Sequence, residues 1–197
     1  MRDTDLFQMA LGLTPPWQVL SSDFDPQQKR LEYPDSVLPN HHANFGELVA
    51  IDGSFIDSVF SMRWADYRTN SRKAKLHLGF NLNQGIPHKL FLTEGKGAER
   101  PFVSKIIEPG QTAVMDRGYQ AHPLFDQWQD DGCHFVCRIK ENTQKEILEA
   151  YPLAEKSHIF SDSRVLLGTP GVNQSKTPVR LVGYTVDDKI YWIATDR

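Results

Sequence analysis

The sequence predicts a mixed α/β domain whose sheet gathers two aspartates at one edge, followed by an all-β stretch. Three observations predict it. Between residues 47 and 140, strand-length apolar runs are interleaved with two helix-length segments in the order β-β-β-α-β-α-β. From residue 141 to 197 the chain reads as short strand-like runs parted by Ser, Pro, Gly and Asp. Two of the apolar runs, residues 48–51 and 113–115, end alike: Asp52-Gly53-Ser54 follows the first and Asp116-Arg117-Gly118 the second.

Taken in order, residues 5–13 (DLFQMALGL) predict one short helix, stopped by Thr14-Pro15-Pro16. WQVLSSDFD and KRLEY predict a hairpin around Asp25-Pro26. Residues 34–46 are rich in turn formers and read as a linker, with segment 1–44 set apart from a core over 45–140. His41 and His42 lie in that polar loop and read as exposed, not as a metal site. The first core strand is 47–52, and 55–62 follows as a helical turn or extended edge. In KAKLHLGFNLN (73–83), Ala74, Leu76, Leu78 and Phe80 face one way and Lys75, His77 and Asn81 the other, a half-buried strand with His77 at its surface. Gln84-Gly85 turns it into the strand at 87–93, giving an antiparallel hairpin. The loop Glu94-Gly95-Lys96-Gly97 has no phosphate-loop spacing. Residues 98–107 open like a helix, with an acid and Pro101 in the first turn. A strand at 111–116, a helix at 122–129 closed by Asp131-Gly132, and a strand at 134–140 complete the core. In the β-rich region 141–197, residues 186–189 read as a hairpin turn.

At 197 residues with 40% hydrophobic content, the chain holds one sizeable domain, or one domain with a small appendage. No apolar run reaches membrane-span length and the N-terminus lacks a signal-peptide pattern, so a cytoplasmic location is expected. Cys133 and Cys137 read as reduced, buried thiols. The net charge of −3 argues against nucleic acid, but its distribution does not. Residues 1–47 hold three basic and seven acidic side chains, whereas 61–140 hold twelve basic and eight acidic. The densest cationic patch is Arg63, Arg68, Arg72, Lys73 and Lys75, a candidate for phosphate contacts if it lies near the paired aspartates.

A hairpin and a helix between the first and fourth core strands allow these two to lie parallel and adjacent. Asp52 and Asp116 then emerge together at carboxyl-terminal strand ends, where open α/β sheets place their sites. Two adjacent carboxylates repel each other unless a cation intervenes, and hard oxygen ligands suit Mg²⁺ or Mn²⁺. A divalent ion there serves phosphodiester chemistry. The competing reading is an ordinary Asp-Gly-Ser turn, with Asp116 and Arg117 as a structural ion pair.

IDGS after the first strand, then KAKLHLGFNLNQGIPHKLFLTEGKGAE, then VMDRGY together resemble the IS4-type DDE transposases of bacterial insertion sequences. The likeness runs from about Phe45 to Arg197. It implies a ribonuclease-H-like core carrying a β-rich insertion, with Asp52 and Asp116 as the first two acids of a catalytic triad that holds Mg²⁺ or Mn²⁺. It implies DNA as partner, both transposon ends and target, a nucleoid-associated location, and a homodimer or full-length transposase as protein partner. The implied chemistry is metal-dependent hydrolysis at the transposon end, then strand transfer by the freed 3′-hydroxyl. Arg117 joins the cationic patch as a candidate DNA contact. Trp192 is the candidate aromatic of the insertion for stacking on a flipped base.

Two departures accompany the resemblance. The family's third acid is a Glu within Tyr-x2-Arg-x3-Glu-x6-Lys, and no tyrosine here has Arg three positions on. Glu141, Glu146, Glu149 and Glu155 stand in other contexts. A chain truncated before the catalytic Glu, with badly impaired chemistry, is the expectation. Residues 1–32 also resemble the start of an ISL3-type transposase, without the zinc-binding cysteines, which suggests a fusion of two fragments. Two alternatives stay open: a non-catalytic DNA-binding or regulatory fragment, and a small metal-dependent nuclease using Asp52, Asp116 and Glu94.

Overall fold

The structure, a computed structural model, describes the backbone of residues 23–25, 30–32, 46–57, 66–68, 71–153 and 158–197, and the side chains of 46–57, 73–153 and 158–197. The helix expected at 5–13 and His41 and His42 lie outside these residues.

The strands are β1 (Asp23–Asp25), β2 (Arg30–Glu32), β3 (Leu48–Asp57), β4 (Asp66–Arg68), β5 (Ser71–Asn81), β6 (Ile86–Glu94), β7 (Thr112–Met115), β8 (His134–Arg138), β9 (Lys145–Ala150), β10 (Ile159–Leu167), β11 (Val179–Val186) and β12 (Lys189–Thr195). Helix α1 (Arg100–Ile106) lies between β6 and β7, and α2 (His122–Asp130) between β7 and β8. All strands join one twelve-stranded sheet in the order β1-β2-β6-β5-β3-β7-β8-β12-β11-β10-β9, with β4 beside β5. The pairs β3–β7 and β7–β8 are parallel. The expected core elements occur in order, with β4 in addition, and β1 and β2 form the expected antiparallel pair, Asp23 opposite Glu32. β12 hydrogen-bonds to β8, so the C-terminal meander continues the same sheet.

Two expectations need correction. β3 does not end at Asp52. It runs through Gly53 and Ser54 to Asp57, because β5 offers a partner at every step from Asp52↔Leu78 to Asp57↔Lys73. Ladder hydrogen bonds override the turn tendency of Gly-Ser. The polar face of β5 is not its solvent face either: His77 is 1% exposed, Asn81 1% and Lys75 9%, because α1 covers that side. Gly79 makes this approach possible, since a Cβ there would stand 2.2 Å from Cγ2 of Ile106. β9 (KEILEA) lies in the region expected to be all-β, though it is not among the runs picked out there. Its residues favour helix, and only pairing with β10 holds it extended at the sheet edge.

Helices α1 and α2 pack on one sheet face. Val49, Ile51, Ala113, Met115, Phe135 and Cys137 meet Val103, Ile106, Phe125 and Trp128 there in one buried cluster. Phe125 stacks on Phe135 at 4.3 Å, and the Trp128 indole N–H donates to Ser104 Oγ at 2.9 Å, tying α2 to α1. Both cysteines are free and buried, and burial pushes the Cys137 thiol up to about 12. The hairpin turn between β11 and β12 places Asp187 and Asp188 at φ 48° and 60°, the left-handed pair that tight hairpins require.

Candidate functional site

Alternation along β3 sends Val49 and Ile51 into the helix-covered core, and Asp52 to the opposite face. The same alternation along β7 buries Met115 and turns Asp116 outward. Ile51 pairs with Met115 in the parallel register, so the two aspartates directly succeed partnered residues on neighbouring strands. Strands in a sheet lie about 4.8 Å apart. Both aspartates are exposed. The expected convergence at a strand end therefore holds for the parallel ladder, although β3 itself continues.

Each carboxylate is steadied by a glycine. Asp52 Oδ1 accepts the Gly53 N–H at 2.8 Å. Asp116 Oδ1 accepts the Gly118 N–H at 2.8 Å and so caps the 3₁₀ turn Arg117–Tyr119. Neither Oδ2 accepts a hydrogen bond among the described residues. Carboxylate oxygens are the hard donor type that Mg²⁺ takes when water and substrate phosphate supply the rest of its shell. Among the described residues no three His, Cys, Asp or Glu side chains are placed to hold a metal.

Three further residues belong to this corner. Glu99, just before α1, lies against Gly53. Its Oε1 is 3.1 Å from Lys75 Nζ. Arg100 donates from Nε to Gly118 O at 3.0 Å. Tyr119 is 1% exposed, and its hydroxyl has no hydrogen-bond partner among the described residues. Burial raises the Tyr119 hydroxyl well above its ordinary range, and the charges of Glu99, Asp52 and Asp116 raise it further. None of the three stood out in the sequence. The acid preceding Pro101 signals a helix start, and nothing in its spacing from Asp52 signals their meeting.

The predicted DNA-contact residues separate. Arg63 lies outside the described residues, and only the backbone of Arg68 and Arg72 is described. Lys73 pairs with Asp57 at 3.1 Å. Lys75 is buried and committed to Glu99 and Gly97 O. Arg117 is exposed beside Asp116. Trp192 is half-buried, with Lys145 Nζ 3.9 Å above its ring and Phe160 edge-on at 5.2 Å. Glu94 pairs with Ala74, which in turn faces Ile56, four residues beyond Asp52. An open groove of about 650 Å³ lined by Tyr151, Arg164 and Arg180 includes Asp196, which bonds His134 at the start of β8. It therefore sits at the opposite sheet edge from the aspartates.

The profile of the transposase DDE domain matches residues 43–189. The chain belongs to that family. A comparison with curated proteins finds no match. Asp52, Glu99, Arg100 and Asp116 of this transposase all fall within the matched span. Membership makes DNA its substrate class and transposition its function. Among the described residues no helix is long and apolar enough to cross a membrane.

Proposed function

We propose that this chain carries an IS4-type DDE domain in which Asp52 and Asp116 bind one divalent cation, Mg²⁺ or Mn²⁺, against a DNA phosphodiester. The observation that carries the reading is the register Ile51↔Met115, which delivers both carboxylates to one sheet edge. The strand order β6-β5-β3-β7-β8, with β3, β7 and β8 parallel, supports a ribonuclease-H-like core. Strands β9 to β12 suit the role of its β-rich insertion.

The bound cation would activate an attacking oxygen and stabilise the leaving oxygen. The chain's own contribution is placement. Gly53 and Gly118 hold one oxygen of each carboxylate through backbone N–H groups and leave the other turned outward. Exposed Arg117 offers a cation to the DNA backbone next to Asp116. Asp52 and Asp116 would supply two acids of the three-acid pattern that the resemblance implies.

Calorimetric titration with Mn²⁺ tests the reading, on the chain as it stands and on Asp52→Asn. Loss of a metal's outer-shell partner already costs 10–100-fold in affinity, so loss of a ligand is expected to weaken binding by at least about tenfold. Equal binding by both proteins would refute the assignment.

A further inference from the structure

Asp52 and Asp116 arrive on separate strands, and the two residues at the start of α1, its cap Glu99 and its first residue Arg100, reach both strand ends at once. The Glu99 side chain lies against the backbone at Gly53, where an added Cβ would stand 3.0 Å from its Cδ and 3.1 Å from Oε1. Lys75 anchors that side chain, with Nζ 3.1 Å from Oε1, and also donates to Gly97 O at 3.0 Å. Arg100, the next residue, donates from Nε to Gly118 O at 3.0 Å. Gly53 is the residue whose N–H Asp52 accepts, and Gly118 the one whose N–H Asp116 accepts. Two consecutive residues thus grip the two glycines that hold the two carboxylates.

We propose that Glu99 and Arg100 are positioning residues, a clip that sets the spacing of Asp52 and Asp116 for a shared divalent cation. The proposal rests on the reading of that pair as a cation site. Neither residue touches the cation or the DNA. Glu99 acts through Gly53, and Arg100 acts through Gly118.

Arg100 is the jaw to test, because electrostatics and positioning predict opposite signs. Removing a cation beside two carboxylates should by itself strengthen cation binding. Losing the clip should weaken it. Arg100 is exposed, so Arg100→Ala is expected to leave the fold intact. Mn²⁺ affinity by calorimetry and amide hydrogen exchange at Gly118 would be read for wild type, Arg100→Ala and Arg100→Lys. Loss of one side-chain hydrogen bond is expected to weaken Mn²⁺ binding by about fivefold in Arg100→Ala. The Gly118 amide should exchange faster by a similar factor while Val114 is unchanged, and Arg100→Lys should recover part of both effects. Equal or tighter Mn²⁺ binding by Arg100→Ala, or an unchanged Gly118 rate, overturns the proposal. Wild type that binds no Mn²⁺ overturns the cation reading itself, and the Gly118 rate then decides alone whether the clip exists.

Discussion

Acid should loosen the β5–α1 interface through one residue, His77. The Thr93 hydroxyl donates to Glu94 O at 3.1 Å, so it accepts from His77 Nε2–H at 2.9 Å. That leaves Nδ1 as the bare nitrogen, buried and without a partner among the described residues. The ring is stacked on Phe102 at 4.0 Å. A proton added at Nδ1 would be a buried charge with no acceptor, in the field of Lys75 on β5 and Lys105 on α1. Burial first, then these two lysines, lower the His77 pKa from 6.5 to about 4. As pH falls, the unfolded chain takes up the proton before the folded one does. The stability that neutral His77 supplies is therefore complete above about 6.5 and is lost as pH falls toward about 4. The full gap corresponds to on the order of 3 kcal/mol, of which about 2 kcal/mol is gone by pH 5. Against total stabilities of roughly 5–15 kcal/mol this is a large share. Urea unfolding at pH 7 and pH 5 on wild type and His77→Gln isolates it, because carboxylate titration cancels in the double difference. His77→Gln should lose about 2 kcal/mol less than wild type between the two pH values. Equal losses would refute the assignment.

Two further outcomes are expected at the aspartate corner. Asp116→Asn keeps an oxygen for the Gly118 N–H, so urea unfolding should stay within about 0.5 kcal/mol of wild type, whereas Asp116→Ala loses the cap and about 1 kcal/mol. Mn²⁺ calorimetry should show both variants at least about tenfold weaker, and an Asn variant that binds like wild type would remove Asp116 from the site. Tyr119→Phe deletes a buried hydroxyl that has no partner among the described residues, so thermal unfolding should show it as stable as wild type or up to about 1 kcal/mol more so. A clear loss of stability would mean the hydroxyl has a bonding role.

Much of the core was legible because its signals are local. Gln84-Gly85 marks the β5–β6 turn, Pro101 marks the start of α1, and Asp131-Gly132 the end of α2. Asp52 and Asp116 could be matched because each follows an apolar run and has a glycine within two residues. What stayed hidden depends on partners distant in sequence. Gly53-Ser54 reads as a turn until β5 is laid beside it. Lys75, His77 and Asn81 read as a wet face until α1 covers them. Glu99 and Arg100 carry no signal beyond a helix start, since their place beside Gly53 and Gly118 exists only once the sheet and α1 are assembled.

The position of the aspartates follows from where two ladders part. β3 is held antiparallel by β5 on one side and parallel by β7 on the other. The parallel ladder stops at Ile51↔Met115, where β7 leaves the sheet through the 3₁₀ turn Arg117–Tyr119. β3 continues alongside β5 for six more residues, Asp52 to Asp57. Asp52 and Asp116 therefore stand on the two prongs of a fork, each the first residue released from the shared ladder. A fork is free to widen unless something bridges it from behind. On the helix side of the sheet, Tyr119 buries the base of one prong, and Glu99 and Arg100 reach across to both. The opposite side keeps the carboxylate oxygens outward. The proposed cation site would need both rigid spacing and open oxygens to take a phosphodiester as well, and the two strands would supply them from opposite faces.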